Sequence, residues 1–152
     1  MIRTVIDANV WISAFLKPDS APGVVVRAWQ RHAVEVHVAT VTVSEVARAL
    51  ARPRLAAKYQ VRWSEVTRFV GDLVAGTTVH QVVDPPRRCR DQTDDALLEL
   101  AIRLAPSTLV TGDRDLLDDP ALLESMRVSA VEVVTPAVFS KRVAGGGPGR
   151  PE

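Results

Sequence analysis

Cysteine is almost absent. Cys89 stands alone among 152 residues, so no internal disulfide can form, and a reducing compartment fits that usage. Long apolar runs are missing too, and the longest falls far short of a bilayer span. The opening MIRTVID lacks the apolar stretch of a secretory signal, so a cytoplasmic protein with no membrane partner is expected. There is no Gly-x-Gly-x-x-Gly and no P-loop, which argues against a dinucleotide or ATP site. His32, His37 and His80 lack metal-ligand spacing, and Cys89 has no suitably spaced partner. A net charge of +1 advertises no global field for a polyanion.

What is present is an ordinary globular composition, 47% hydrophobic and 24% charged, of a length that suits one domain. The cations are unevenly spread. Arg48, Arg52, Arg54, Lys58 and Arg62 form a run with no acid between them, and Arg87, Arg88 and Arg90 form a second cluster. Arginine outnumbers lysine 16 to 3, and its planar fork suits phosphate. Either cluster is a candidate contact for RNA, with Arg48, Arg52 and Arg54 foremost; a solvated helix face is the plain alternative.

Apolar periodicity sets out the elements. Arg3 to Ile6 reads as a buried strand, after which Asp7-Ala8-Asn9 opens a helix carrying Val10, Trp11, Ala14 and Phe15. Helices are expected over 23–32, 40–50 and 63–75, with Pro53 ending the second and Gly76 closing the third as a C′ glycine. Strands are expected over 34–38, 77–83, 107–111 and 131–134. A helix starts at Thr93 or Asp94, short helices fill 115–126, and Pro136 opens the last. Trp11, Trp29 and Trp63 lie on amphipathic helices and read as core or dimer packing. The domain is expected over 1–143, and 144–152 reads as a disordered Gly/Pro-rich tail.

Strands alternating with helices imply a mostly parallel sheet covered on both faces, with ligands beyond the carboxyl ends of its strands. Four acidic positions fall where strand gives way to helix: Asp7, Glu45, the pair Asp94–Asp95, and Asp113. Singly, each has a structural reading: an N-cap, a turn, or for Glu45 a solvated helix face. Together they would repel one another unless a cation neutralised them. Mg²⁺ and Mn²⁺ prefer such oxygen ligands, and an open coordination position suits phosphodiester hydrolysis. Asn9 could orient Asp7, and Thr111 adjoins the acidic turn.

Four segments carry a family resemblance: Ile-Asp-Ala-Asn-Val at 6–10, Ser-Glu-Val-Ala at 44–47, Arg-Asp-Gln-Thr-Asp-Asp-Ala-Leu-Leu-Glu-Leu-Ala at 90–101, and Leu-Val-Thr-Gly-Asp-Arg-Asp-Leu-Leu at 109–117. Together they resemble the PIN-domain family, nearest to the branch of VapC-like toxin components of bacterial toxin–antitoxin pairs. The likeness runs from about Ile2 to Phe139. It implies a three-layer α/β/α fold with a five-stranded sheet in the order 3-2-1-4-5. It also implies a Mg²⁺- or Mn²⁺-dependent endoribonuclease acting on RNA, with a cognate antitoxin and homodimers among its expected partners.

Carried over by motif, the metal-binding and catalytic acids are Asp7, Glu45, Asp95 and Asp113. Asp94 competes with Asp95 for the third place; Asp95 is preferred because its spacing to Leu98 fits the wider family better. Asp91 and Asp115 match further acids of the branch, and Asn9 a position near its site. Many relatives have proline after the acid at 91, where this chain has Gln92. Two other readings compete: a non-catalytic RNA-binding or protein-interaction module on the same scaffold, and a phosphotransfer domain using an Asp after a strand. The second is disfavoured because Asn9 replaces the second acid and no lysine accompanies Asp113.

Overall fold

The computed structural model describes residues 1–144. Five strands form its sheet: β1 (Arg3–Ile6), β2 (Glu35–Ala39), β3 (Thr78–His80), β4 (Ser107–Val110) and β5 (Val131–Val134). Their order is β3-β2-β1-β4-β5 and every pairing is parallel. Val5 of the central strand is in register with His37 on one side and Leu109 on the other. The order agrees with the one that the resemblance implied.

The helices are α1 (Ala8–Leu16), α2 (Ala21–Gln30), α3 (Thr40–Leu50), α4 (Pro53–Tyr59), α5 (Trp63–Gly76), α6 (Gln92–Arg103), α7 (Arg114–Leu117), α8 (Pro120–Val128) and α9 (Pro136–Ala144). Side chains alternate across a strand, so each face of the sheet gathers its own core. Ile6, Val36 and Val38 pack with Trp11, Trp29, Leu50, Leu73 and Phe139, which brings α1, α2, α3, α5 and α9 to one face. Val5 and Leu109 pack with Leu97, Leu98, Leu116 and Met126, which brings α6, α7 and α8 to the other. None of the described helices is long and apolar enough to cross a membrane.

Trp11 anchors the first core. Its ring is fully buried, meets Trp29 edge-on at 5.1 Å, and donates its indole N–H to Ile6 O at 3.1 Å. Trp29 donates to Gly76 O at 3.0 Å. Gly76 is the last residue of α5 rather than the residue after it. Glycine is needed there because a Cβ would stand 2.7 Å from the Trp29 ring. On the edge strand, His80 Nε2 bonds His37 Nδ1 at 2.9 Å, and Glu35 holds the other nitrogen of His37 at 2.6 Å.

Two stretches differ from the sequence reading. Pro53 begins α4 as well as following α3, because proline suits the first helical turn. α4 buries none of its residues, so no apolar stripe announces it. β3 is confined to Thr78–His80, shorter than the expected 77–83. Trp63 departs from the core reading at 66% exposure. The expected tail lies outside the described residues apart from Ala144, which ends α9.

Candidate metal centre

Asp7 directly follows the central strand. Its own N–H bonds Val110 O at 3.0 Å, which ties the chain after β1 to the end of β4. It is the N-cap residue of α1, yet its carboxylate caps nothing there, so the side chain is free to serve the sheet edge. Asp113 reaches the same edge from the turn after β4. It caps α7, with its Oδ1 accepting from Asp115 N–H at 2.9 Å. Asp94 arrives from the first turn of α6.

These three carboxylates offer oxygens that all lie within 4.8 Å of one another. Asp7 and Asp94 are buried, and Asp113 is half-buried. Burial first, then a hydrogen bond with Asp113 and the charges of Asp7 and Asp113, push the Asp94 carboxyl up to about 8. Burial also raises Asp7, against the opposing hydrogen bond from Thr111, and the Asp113 charge adds to the rise. Among the described residues no basic group pairs with these three acids, so the cluster has no cation to balance its charge. A hard divalent ion with oxygen ligands is the group that this donor set fits.

Thr111 is fully buried and joins two of the acids. Its hydroxyl donates to Asp7 Oδ2 at 2.7 Å and accepts from Asp113 N–H at 3.0 Å. Asn9 donates its amide to Asp7 Oδ2 at 3.4 Å and accepts from Gly112 N–H at 3.3 Å. Both side chains hold the β1 and β4 acids in one geometry.

Glu45 lies on α3, half-buried and outside the tight group. Burial raises its carboxyl, and so do the charges of Asp7 and Asp91, while Arg48 opposes. It therefore shares the field of the cluster. Asp91 is exposed and caps α6, with Oδ1 accepting from Thr93 N–H at 2.9 Å. Asp115 is exposed and stands 3.8 Å from Arg90.

Asp95 faces elsewhere. Successive helical residues point about 100° apart, so both acids of the pair cannot share one direction. Its Oδ1 accepts from Arg88 N–H at 2.8 Å, Cys89 N–H at 2.9 Å and the Cys89 thiol at 3.1 Å. Burial alone would raise its carboxyl, but these donors and nearby Arg87 hold it below its ordinary value. Cys89 responds in the opposite sense: burial and the Asp95 carboxylate push its thiol up to about 12. Geometry thus places Asp94, not the preferred Asp95, beside Asp7 and Asp113. Leu97, Leu98 and Ala101 mark the sheet-facing side of α6, and both acids lie a turn before one of them, so the helical pattern alone did not choose between them.

The two arginine clusters also differ. Arg88 is bound to Glu99 at 2.9 Å, while Arg87 and Arg90 each stand 3.8 Å from an acid. Arg48, Arg52 and Arg54 are exposed and have no ion-pair partner among the described residues. A cavity of about 940 Å³ lies remote from the acids. Met1–Arg3, Pro106 and Ala130 line it, at the opposite ends of the strands.

The chain has relatives among known proteins. The family model described as "PIN domain" matches residues 3–115. An uncharacterised protein of Methanocaldococcus jannaschii, MJ1680, is 26% identical over 119 residues, covering 76% of this chain and 74% of that one. Among solved structures, the PilT N-terminus domain protein SSO1118 from the archaeon Sulfolobus solfataricus P2 superposes with a TM-score of 0.52. That likeness covers 99% of this chain and 100% of the other at 14% identity, and concerns the fold alone. Since the matched segment runs from the first strand past the last of the three clustered acids, this chain belongs to the PIN-domain family.

Proposed function

We propose that this chain is an endoribonuclease that hydrolyses RNA phosphodiesters with Mg²⁺ or Mn²⁺ held by Asp7, Asp94 and Asp113. The observation that carries the reading is the convergence of these carboxylates within 4.8 Å at the carboxyl edge of a parallel sheet. Asp7, Asp94 and Asp113 would hold such an ion, which would supply polarisation of a phosphoryl oxygen and a hydroxide accessible near neutral pH. The protein's part is positional. Thr111 and Asn9 fix Asp7, and Thr111 also fixes the turn that carries Asp113. On this reading Glu45, half-buried on α3 and raised by burial and the Asp7 charge, serves as a further ligand or as the acceptor of a proton from the attacking water. Arg48 lies one turn beyond Glu45 on α3, and Arg52 follows just past the end of that helix, so cations lead away from the acids to steer the strand.

The resemblance to the toxin branch adds partners to this reading: a cognate antitoxin that sets a cationic side chain among the acids, and a second copy of the chain. The decisive experiment incubates a mixed RNA pool with the protein and Mn²⁺, Mg²⁺ or EDTA, beside the Asp94→Asn and Asp95→Asn variants. Cleavage that requires metal and Asp94 but survives at Asp95→Asn is the expected result. Equal cleavage by wild type and Asp94→Asn would sink the assignment.

A further inference from the structure

The segment from Arg48 to Arg68 concentrates exposed cations. Arg48, Arg52, Arg54, Lys58, Arg62 and Arg68 are all exposed, and none has an acid within ion-pair distance among the described residues. Among the other arginines, Arg88, Arg103, Arg114, Arg127 and Arg142 each hold a carboxylate at 2.6–2.9 Å, while Arg3, Arg27 and Arg31 donate to backbone carbonyls. Between Arg62 and Arg68 in the sequence stands Trp63, 66% exposed. The two other indoles are buried, and both donate to backbone oxygens. Trp63 has no ring partner and no indole hydrogen bond among the described residues.

Folding gives Trp63 little to do. It opens α5, but Glu65 closes that end by accepting from Arg62 N–H. The neighbouring α4 has no fully buried residue, and the stretch meets the first core through Leu50, Leu55, Val61 and Val66, leaving Trp63 outside it. A large exposed ring forgoes the stabilisation that burial would bring. Cations alternating with a free aromatic face are what an unpaired polynucleotide strand requires: phosphates meet guanidinium groups, and a base stacks on the ring.

We infer that Arg48 to Arg68 is a binding surface for single-stranded nucleic acid, with Trp63 the platform on which one base stacks. A second copy of the chain fits less well. A two-fold interface sets a patch against itself, and here cations would meet cations. A duplex fits less well too, because its bases are already stacked and only phosphate contact would remain. The surface takes its biological role from the ribonuclease reading, since it would deliver a strand to the acids. Its existence can be tested without cleavage.

The test titrates the full chain in EDTA with a short oligouridylate and with a hairpin duplex of equal length, following tryptophan emission. Quenching by the single strand is expected. Trp63→Leu should remove it and weaken binding about tenfold, while Trp63→Phe should keep most of the affinity. Replacing Arg52 and Arg54 by alanine should flatten the salt dependence of binding by about 0.7 for each phosphate no longer neutralised. Wild-type affinity in Trp63→Leu would overturn the proposal. So would stronger binding of the hairpin, or a wild-type dimer that Trp63→Leu dissociates while oligouridylate goes unbound. Emission quenching by a chain that cuts no RNA in Mg²⁺ or Mn²⁺ would refute the nuclease reading alone and leave this surface standing.

Discussion

Asp94 and Asp95 are adjacent on one helix and both hidden from solvent, yet their surroundings are opposite. Asp94 faces carboxylates, and its own is pushed up to about 8. Asp95 faces two backbone N–H groups, a thiol and an arginine, and stays below its ordinary value. One side of the α6 N-terminus therefore lacks a counter-charge, and the other side is well supplied with donors. Burial does not decide what a buried acid does; the sign of its neighbours does. On the proposed reading the first acid receives a cation, while the second fastens the loop that precedes its own helix.

The sharpest way to break this contrast is to neutralise each acid in turn. Asp94→Asn should lower metal-dependent RNA cleavage about a hundredfold or more, because a metal ligand contributes several kcal/mol to the transition state. The fold should survive, since a repulsion has been relieved. Asp95→Ala should act the other way round. Its donors lose their acceptor, and unfolding in urea should show about 3 kcal/mol less stability with an unchanged slope. An Asp95→Ala protein as stable as wild type would leave the loop without its supposed fastening.

Acidity sharpens the comparison with a smaller effect. Without metal, the folded chain holds the Asp94 proton up to about 8, whereas the unfolded chain releases it near 3.8. Between those values the folded state binds the extra proton, so the Asp94 contribution to stability falls as pH rises and levels off above about 8. Asp95 has the opposite sign. Its contribution is present above the ordinary carboxylate value and lost as pH falls through its lower folded value. In EDTA, the stability of Asp94→Asn relative to wild type should therefore grow from about pH 5 to about pH 8. A constant difference across that range would show that Asp94 ionises as freely as a surface acid.

Much of the architecture was legible because it rests on patterns that one sequence carries. β1 is a short β-branched run, and the recurrence of strands and helices demands a parallel, covered sheet. The order of the strands is not written in that recurrence; it came from the family resemblance. Asp7 and Asp113 were legible because each follows a strand, and strand polarity fixes the edge that they reach. The choice within the Asp94–Asp95 pair was not, because it turns on about 100° of helix rotation and on a loop, Arg87 to Asp91, that no periodicity describes. α4 was hidden for a related reason: a helix with no buried residue leaves no stripe. Trp63 misled because apolar character was read as burial, and only the fold shows which tryptophans find partners.

The contact between Trp29 and Gly76 ties together two positions 47 residues apart. Neither can vary alone. A methyl group at 76 collides with the indole, and a smaller ring at 29 leaves a void and deprives the 76 carbonyl of its donor. Gly76→Ala should therefore be tolerated only in company with a reduced side chain at 29. Evolutionary drift through this corner of the protein has to pass through a poorly folding intermediate, whichever change comes first.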